Sequence, residues 1–400
     1  MAPLLALDPY VTEWLDLLAR WLHVVAGIVW IGTSFYFIAL DNHLLPPKDE
    51  RDAAAGVGGE SWEVHGGGFY LVQKYRVAPQ TLPVPLHWFK WEAYMTWLSG
   101  FALLIVLYYV NADTYLIDKS VADFSTGEAV AISVALLAVA WLVYDALCRV
   151  LASRPLVLAA VLLALVTLSS WGISHLFSGR ALYIQVGAML GTMMAGNVLF
   201  VIIPAHWELV RAKRAGRAPN PAANERGKLR SVHNNYLTLP VVFTMISNHF
   251  PSTYGHSYAW LILVALLVIG AWIRHYFNLR HAGRNVWAIP VTAALGIAAV
   301  AVIIRPQGES VAGSKPVPFA RVARVIDTRC TACHSEHPTR VDRAPKDVKF
   351  DTPAEISSQA DAIEQQAVRT KAMPLGNVTK MTQAERDLLG QWIAQGAKIP

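Results

Sequence analysis

The chain has 400 residues, of which 54% are hydrophobic and only 16% are charged. Soluble domains carry about 25% charged residues, so the composition excludes an ordinary soluble protein and indicates a membrane protein. The net charge of +6 raises the question of nucleic-acid binding. Most basic residues outside the C-terminal part lie in short loops between apolar runs, where membrane topology explains them, and we expect no nucleic-acid partner.

Apolar runs long enough to cross a bilayer recur through the N-terminal part of the chain. Each has about twenty residues, the length that a membrane-spanning helix needs. The eight runs cover residues 14–40, 88–110, 128–151, 155–177, 181–210, 233–250, 257–279 and 286–304. No Lys or Arg precedes Arg20, and the first run is too long for the core of a signal peptide, so we expect it to remain as the first helix.

Lys and Arg are distributed unevenly between the loops that join these runs. Seventeen fall on one set of alternate loops and three on the other. Because cytoplasmic loops carry the excess of Lys and Arg, the first set is assigned to the cytoplasm. With eight spans, both termini then lie in the periplasm, and we expect a multi-pass protein of a bacterial inner membrane, in contact with membrane lipid.

The sixth run is unusually polar for a membrane helix. It holds His233, three asparagines, Pro240 and His249. Such a helix cannot face lipid along much of its surface. We therefore expect it to stand inside the helix bundle or to line a wet cavity.

Polar side chains near the ends of the spans form two groups of candidate catalytic residues. The predicted periplasmic group is Arg20, His23, His175 and His249. The alternative, cytoplasmic group is His87, Glu92, His206 and His233. Histidines at both depths are candidate ligands of a b-type haem, but for any single one a hydrogen-bonded structural role is the simpler interpretation.

The C-terminal part begins after a tether. Residues 305–318 are rich in Pro, Gly and Ser, and separate the predicted membrane domain, 1–304, from a small helical domain, 319–400. In that domain we expect helices at 319–328 and 382–396, the second opened by a capping box of Thr382 with Glu385. A third helix is predicted after Thr352, which forms a capping box with Glu355.

A Cys-Thr-Ala-Cys-His motif dominates the C-terminal domain. It is the attachment pattern of a c-type haem, in which Cys330 and Cys333 bond to the haem vinyls and His334 binds one axial face of the iron. A redox dithiol and half of a zinc site are the alternatives. The adjoining histidine and the lack of a second Cys or His pair weigh against both.

Met373 is the candidate for the sixth iron ligand, because it lies in a loop with proline and glycine that could present the thioether. Met381 is the rival, just before the last predicted helix. A methionine ligand raises the reduction potential, so we expect an electron-transfer haem with His334 and Met373 as metal ligands. With both motif and loop present, residues 319–400 resemble a class I cytochrome c domain.

Three stretches of the N-terminal part resemble the membrane-bound urate hydroxylase family. They are residues 65–76, which begin His-Gly-Gly-Gly-Phe-Tyr; residues 86–94, from Leu-His-Trp to Glu-Ala-Tyr; and residues 233–251, from His-Asn-Asn-Tyr to Asn-His-Phe-Pro. That family joins an eight-span N-terminal part to a C-terminal cytochrome c domain. The expected fold is accordingly all-α: a polytopic membrane helix bundle followed by a small class I cytochrome c domain.

The resemblance implies oxidation of urate to 5-hydroxyisourate. Electrons would pass through the chain's own c-type haem to a respiratory acceptor such as soluble cytochrome c or a terminal oxidase. The periplasmic group could hand electrons directly to that haem. The cytoplasmic group suits a substrate made inside the cell, but electrons would then cross about 30 Å of hydrocarbon, which calls for a b-type haem as a relay.

We therefore favour the periplasmic group as the site of oxidation. Two other functions remain open from the sequence. The chain could be a membrane-anchored cytochrome c electron carrier, although an anchor needs only one span. It could also be a quinol-oxidising cytochrome without urate activity.

Overall fold

A computed structural model describes residues 9–305 and 315–400. Residues 306–314, most of the predicted tether, lie outside the described residues. The described chain is largely helical and contains one two-stranded sheet.

The N-terminal part is a bundle of long helices. Its elements are, in chain order, α1 (Pro9–His43), α2 (Glu50–Ala54), β1 (Val57–His65), β2 (Gly68–Tyr75), α3 (Trp91–Leu103), α4 (Ala112–Tyr115), α5 (Thr126–Val150), α6 (Pro155–Ile173), α7 (Gly179–Asn197), α8 (Ile203–Arg214), α9 (Pro221–Ile246), α10 (Pro251–Tyr254), α11 (Ala259–His281) and α12 (Ala288–Ile303). Segments of π-helix at Leu104–Tyr109 and Val198–Ile202 extend α3 and join α7 to α8.

Six helices in the described ranges are long and apolar enough to cross a membrane, as expected of a membrane protein. They are Trp14–His43, Trp91–Tyr109, Thr126–Val150, Pro155–Ile173, Gly179–Arg214 and Ala259–His281. The other two predicted spans are also helical, as α9 and α12. The first is highly polar and the second has only 16 residues, so the count of eight spans stays a prediction.

The expectation of an all-α fold was wrong for the segment after α1. There, β1 and β2 form an antiparallel hairpin in which Val64 pairs with Phe69 and His65 pairs with Gly68. Gly66 and Gly67 make the turn, with φ values of 56° and 81°. A two-residue hairpin turn requires positive φ at both positions, which glycine adopts without strain. We had expected a loop here.

The C-terminal part consists of short helices. They are α13 (Phe319–Arg329), α14 (Pro353–Ser358), α15 (Ala360–Ile363) and α16 (Gln383–Ala394), with a π-helical segment at Glu364–Arg369 and 3₁₀ turns at Pro345–Asp347 and Leu375–Asn377. Capping boxes open two of them, at Thr352 with Glu355 and at Thr382 with Glu385. The capping chemistry was therefore predicted correctly.

The two parts have separate hydrophobic cores. The larger core of the bundle is built around α7, with Leu182 and Tyr183 fully buried. The core of the C-terminal part is built around α13 and α16, which meet where the rings of Phe319 and Trp392 lie 6.0 Å apart. Each part thus packs around its own apolar side chains.

The C-terminal part contacts one end of the helix bundle, which we call the docking end. It is formed by α4, α10 and the start of α7. The 3₁₀ turn Leu375–Asn377 packs on α4, and Gly255 after α10 lies against the backbone of Thr370. The loop that carries Met373 is therefore held on the bundle.

Candidate functional site

A cavity of about 350 Å³ lies within the helix bundle. Its walls come from α1, from α3 with its π-helical extension, and from α7 and α9. Most of the wall is apolar, including Trp30, Trp97 and Phe101, whereas its few polar groups include Arg20 and His23. A concave, largely apolar cavity with a few convergent polar groups is the usual form of a small-molecule site.

The cavity brings together three of the four residues of the predicted periplasmic group: Arg20, His23 and His249 all line it. His175 does not. It follows the end of α6, is exposed, and its Nδ1 lies 2.8 Å from the carbonyl oxygen of Trp171. The structure therefore places His175 outside the candidate site.

His23 has a defined orientation and tautomer. Its Nδ1 lies 3.0 Å from the carbonyl oxygen of Thr96 and 3.2 Å from the Ser99 hydroxyl. Because a carbonyl can only accept, Nδ1 carries the proton and Nε2 of the neutral ring is free to accept one. Gly100 makes room for the ring, since a Cβ there would lie 2.8 Å from His23 Cε1. This arrangement suits a general base.

Arg20 and Asn248 supply groups that could hold an anion at the same end of the cavity. Arg20 Nε donates to Asp16 Oδ1 at 2.7 Å, which orients the guanidinium. Asn248 also lines the cavity, and its Oδ1 has no hydrogen-bond partner among the described residues. Cation, amide and imidazole thus converge on one space.

The alternative cytoplasmic group does not line this cavity. His87 is exposed ahead of α3, and His206 is exposed on α8. Glu92 is half-buried in the first turn of α3. His233 lies elsewhere in the bundle, where its Nδ1 is 2.9 Å from the Tyr144 hydroxyl. The rings of Trp88 and Trp207 stack 4.4 Å apart, which brings the segments of His87 and His206 together, whereas His233 lies apart from them.

The Cys-Thr-Ala-Cys-His motif follows directly after α13. His334 Nδ1 lies 3.0 Å from the carbonyl oxygen of Val348, so Nδ1 carries the proton and Nε2 is left for a metal. Cys330 and Cys333 form no disulfide within the described residues. Burial raises the pKa of Cys330 to about 12.

The described residues offer the motif no further zinc ligands. A structural zinc site requires four ligands from Cys, His or carboxylate side chains. Within residues 9–305 and 315–400, no three such side chains cluster as metal ligands.

The loop carrying Met373 is fixed by hydrogen bonds to its backbone. Met373 N donates to Gln366 O at 2.9 Å, and the buried Arg386 donates through Nη1 to Met373 O at 2.7 Å. Met381, the rival ligand, is only 4% exposed and belongs to the core of the C-terminal part. Its burial is explained by packing alone.

Aromatic and charged side chains connect the cavity to this loop. Tyr108 lines the cavity, and its ring centroid is 6.2 Å from that of Tyr115. The guanidinium of Arg180 stands over the Tyr115 ring at 4.8 Å. Next to Tyr115, Thr114 contacts Gly376 of the Met373 loop. The sequence did not indicate Tyr108, because tyrosines such as Tyr108 and Tyr109 in an apolar run are as typical of core packing as of function.

Comparison with known proteins gave one match. The family model described as "Urate oxidase N-terminal" matches residues 9–305, which include the whole helix bundle and its cavity. No curated protein and no solved structure matches the chain.

Proposed function

The chain belongs to the urate oxidase N-terminal family, and from that membership we propose that it is a membrane oxidoreductase that converts urate to 5-hydroxyisourate. Its electrons pass to a c-type haem on its own C-terminal domain. The observation that carries the proposal is the position of the cavity. Arg20, Tyr108 and His249 line it near the docking end, where the Met373 loop is seated.

Substrate binding is assigned to the polar end of the cavity. Urate is an anion at neutral pH, and the Arg20 guanidinium supplies the opposite charge. The Asn248 amide is placed to hydrogen-bond the purine edge. The apolar wall around Trp97 and Phe101 suits a flat ring.

Proton removal is assigned to His23. Urate and water give 5-hydroxyisourate, two protons and two electrons, so a base must accept a proton as water adds to the purine. Nε2 of His23 is the free position of a ring whose other nitrogen is held by Thr96. His249, which follows α9 and also lines the cavity, is available for the second proton.

Electron removal is assigned to the C-terminal domain. Cys330 and Cys333 would attach the haem, and His334 and Met373 would bind its iron. A haem with His and Met ligands accepts and releases one electron at a time at a raised potential. Electrons then leave to soluble cytochrome c or a terminal oxidase. Because cavity and loop share one end of the bundle, the scheme needs no b-type haem.

The proposed location follows from the distribution of Lys and Arg. The docking end would face the periplasm of a bacterial inner membrane, and the opposite end of the bundle would face the cytoplasm.

The test is direct reduction of the haem by urate. Purified full-length protein is mixed with urate without other acceptors, and the haem absorbance and the purine product are followed together. We expect two haems to be reduced for each 5-hydroxyisourate formed, because the oxidation releases two electrons and each haem accepts one. Reduction by a quinol and not by urate would overturn the proposal in favour of a quinol-oxidising cytochrome.

A further inference from the structure

A second set of polar groups lies at the end of the bundle opposite to the docking end. It involves Arg274, Asn278 and His281, which follow one another on one face of α11 at spacings of four and three residues. We call this set the Arg274 stripe. It faces Asn235 of α9, and its outer end faces His43 of α1, whose ring centroid is 6.5 Å from that of His281.

Arg274 is a buried cation without a counter-ion. Only 3% of the residue is exposed, and its guanidinium stacks on the Phe35 ring at 3.8 Å. Nε donates to Asn235 Oδ1 at 2.9 Å. Among the described residues, Nη2 has no hydrogen-bond partner, and no carboxylate forms an ion pair with Arg274. A buried guanidinium in this state requires an acceptor.

Further polar atoms without hydrogen bonds lie along the stripe and beside its outer end. Asn235 is fully buried, and its Nδ2 has no partner within the described chain. Asn278 Oδ1 is unpaired in the same way, and Glu63 Oε1 makes no hydrogen bond but lies 3.9 Å from Nε2 of His43, within ion-pair range. Glu63 is anchored near the stripe by the Tyr36 hydroxyl, which donates to its other oxygen at 2.8 Å. The two donors, Arg274 and Asn235, lie deep in the stripe, and the two acceptors, Asn278 and Glu63, lie nearer its outer end.

Such a set complements an anion that carries both oxygens and N–H groups. Inorganic phosphate offers acceptors for Arg274 and Asn235, but it is too small to reach Asn278 as well, because Arg274 and Asn278 lie four residues, about 6 Å, apart along α11. An oxopurine anion offers carbonyl oxygens and ring N–H groups in one plane. Urate is such an anion.

The stripe also continues the line of the cavity. On α1, Ile31 lines the cavity and Phe35 lies one helical turn further; on α9, Thr238 lines the cavity and Asn235 lies one turn further. Towards the docking end α1 and α9 thus line the cavity, and towards the opposite end α9 carries Asn235 while α1 carries Phe35, on which Arg274 of α11 stacks.

We propose that the Arg274 stripe is a second binding site for the urate anion, which receives substrate at the opposite end of the bundle and delivers it to the cavity. The inference rests on the proposed function, since it takes urate as the substrate. It assigns to Arg274 and Asn235 the binding of purine oxygens, and to Asn278 and Glu63 the binding of purine N–H groups.

The test measures urate bound by the full-length protein with its haem already reduced, so that no turnover occurs. Equilibrium dialysis is expected to give two urates per chain for the wild type and one for Arg274→Gln. Arg280→Gln is the matched control, because Arg280 is an exposed cation on the same helix, and it should bind two. Asn278→Ala removes an unpaired group without breaking a side-chain hydrogen bond. It is expected to bind one urate as well, and it replaces Arg274→Gln in the test if that variant does not fold.

Kinetics give the second readout. In inverted membrane vesicles, we expect Arg274→Gln to raise the half-saturating urate concentration by roughly tenfold or more, as for loss of a charge-assisted hydrogen bond, with the maximal rate retained. Xanthine should compete with urate at this site, and phosphate at equal concentration should not. Unchanged binding and an unchanged half-saturating concentration, or equal competition by phosphate, would overturn the inference.

The outcome separates this inference from the proposed function. A wild-type protein whose haem urate does not reduce contradicts the function itself. A wild-type protein that turns over urate while Arg274→Gln and Asn278→Ala bind it normally contradicts only the second site.

Discussion

Gly376 packs against the carbonyl oxygen of Thr114, at the point where the two parts of the chain meet. A Cβ atom on Gly376 would lie 2.5 Å from that oxygen and 3.1 Å from the carbonyl oxygen of Ile117. The backbone there has φ of 56°, which glycine adopts without strain. Both the conformation and the close approach therefore depend on glycine, and Met373 is only three residues away.

Gly376→Ala should disturb the docking of the C-terminal part on the helix bundle while both parts still fold. We expect urate-driven haem reduction to slow by about tenfold or more, because the added methyl group displaces the Met373 loop from α4 and small displacements at a reactive contact are costly. Urate binding and haem attachment should persist. Stopped-flow absorbance of the haem measures the rate.

Gly396→Ala is the matched control for docking. Gly396 also has a positive φ, of 94°, but a Cβ there would meet nothing within 4 Å. Both variants therefore carry a backbone cost of about 1 kcal/mol, and only one disturbs the contact. Equal reduction rates in the two variants would show that docking at Gly376 does not limit electron transfer.

Local signals in the sequence predicted local structure well. Thr382 and Glu385 predicted the start of α16 because a capping box involves only neighbouring residues. The hairpin of β1 and β2 was missed, although Gly66 and Gly67 are typical of a two-residue turn. From the sequence, the segment between the first two predicted spans is interpreted only as a polar loop.

The candidate site was predicted in part, for a physical reason. The position of a residue within a span fixes its depth in the membrane, so Arg20, His23 and His249 could be assigned to the same depth from the sequence. The direction in which a helix turns each side chain does not follow from the position in the span. His175 has the same predicted depth but lies outside the cavity. Docking of the Met373 loop depends on tertiary contacts that no local pattern encodes.

His23→Gln should impair catalysis far more than His175→Gln. Glutamine can keep a hydrogen bond to Thr96 but cannot accept a proton at neutral pH, so we expect turnover to fall by about 100-fold or more. His175 is exposed and outside the cavity, so its variant should stay within twofold of the wild type by the usual weak effect of surface changes. Steady-state urate oxidation by the purified proteins measures both. Comparable losses in the two variants would contradict the role of His23.

Comparison of Met373→Ala with Met381→Ala tests which of the two methionines binds the haem iron. Loss of a thioether ligand should lower the haem potential and slow turnover while the covalent haem stays attached. Met381 is buried in the core, so its truncation should cost about 2–5 kcal/mol of stability and leave the potential near that of the wild type. Redox titration followed by haem absorbance measures the potential. A lowered potential in Met381→Ala alone would make Met381 the ligand.

Acid should weaken the C-terminal domain through Glu385. Burial alone would raise the pKa of Glu385, but hydrogen bonds from Thr382 and the guanidinium of Arg329, 2.9 Å away, outweigh it and hold this pKa below its usual value of 4.5. A group with a lowered pKa in the folded state stabilises the fold above its unfolded pKa, and this contribution is lost as pH falls through the folded pKa. Thermal unfolding of the domain, followed by haem absorbance, should therefore move to lower temperature as pH falls below about 4.5.

Glu385→Gln removes the negative charge of this side chain but keeps its hydrogen bonds in the capping box of α16. Glutamine preserves the capping box with Thr382 but loses the ion pair with Arg329, which at a partly exposed site is worth about 0.5–1 kcal/mol. The variant should melt a few degrees below the wild type at pH 7, because less than a quarter of the carboxylate side chain is exposed and its pairing is only partly screened. The difference should shrink as the pH falls, since the wild-type carboxyl is then protonated as well. A difference that is constant from pH 7 to pH 3 would assign the effect to packing and not to charge.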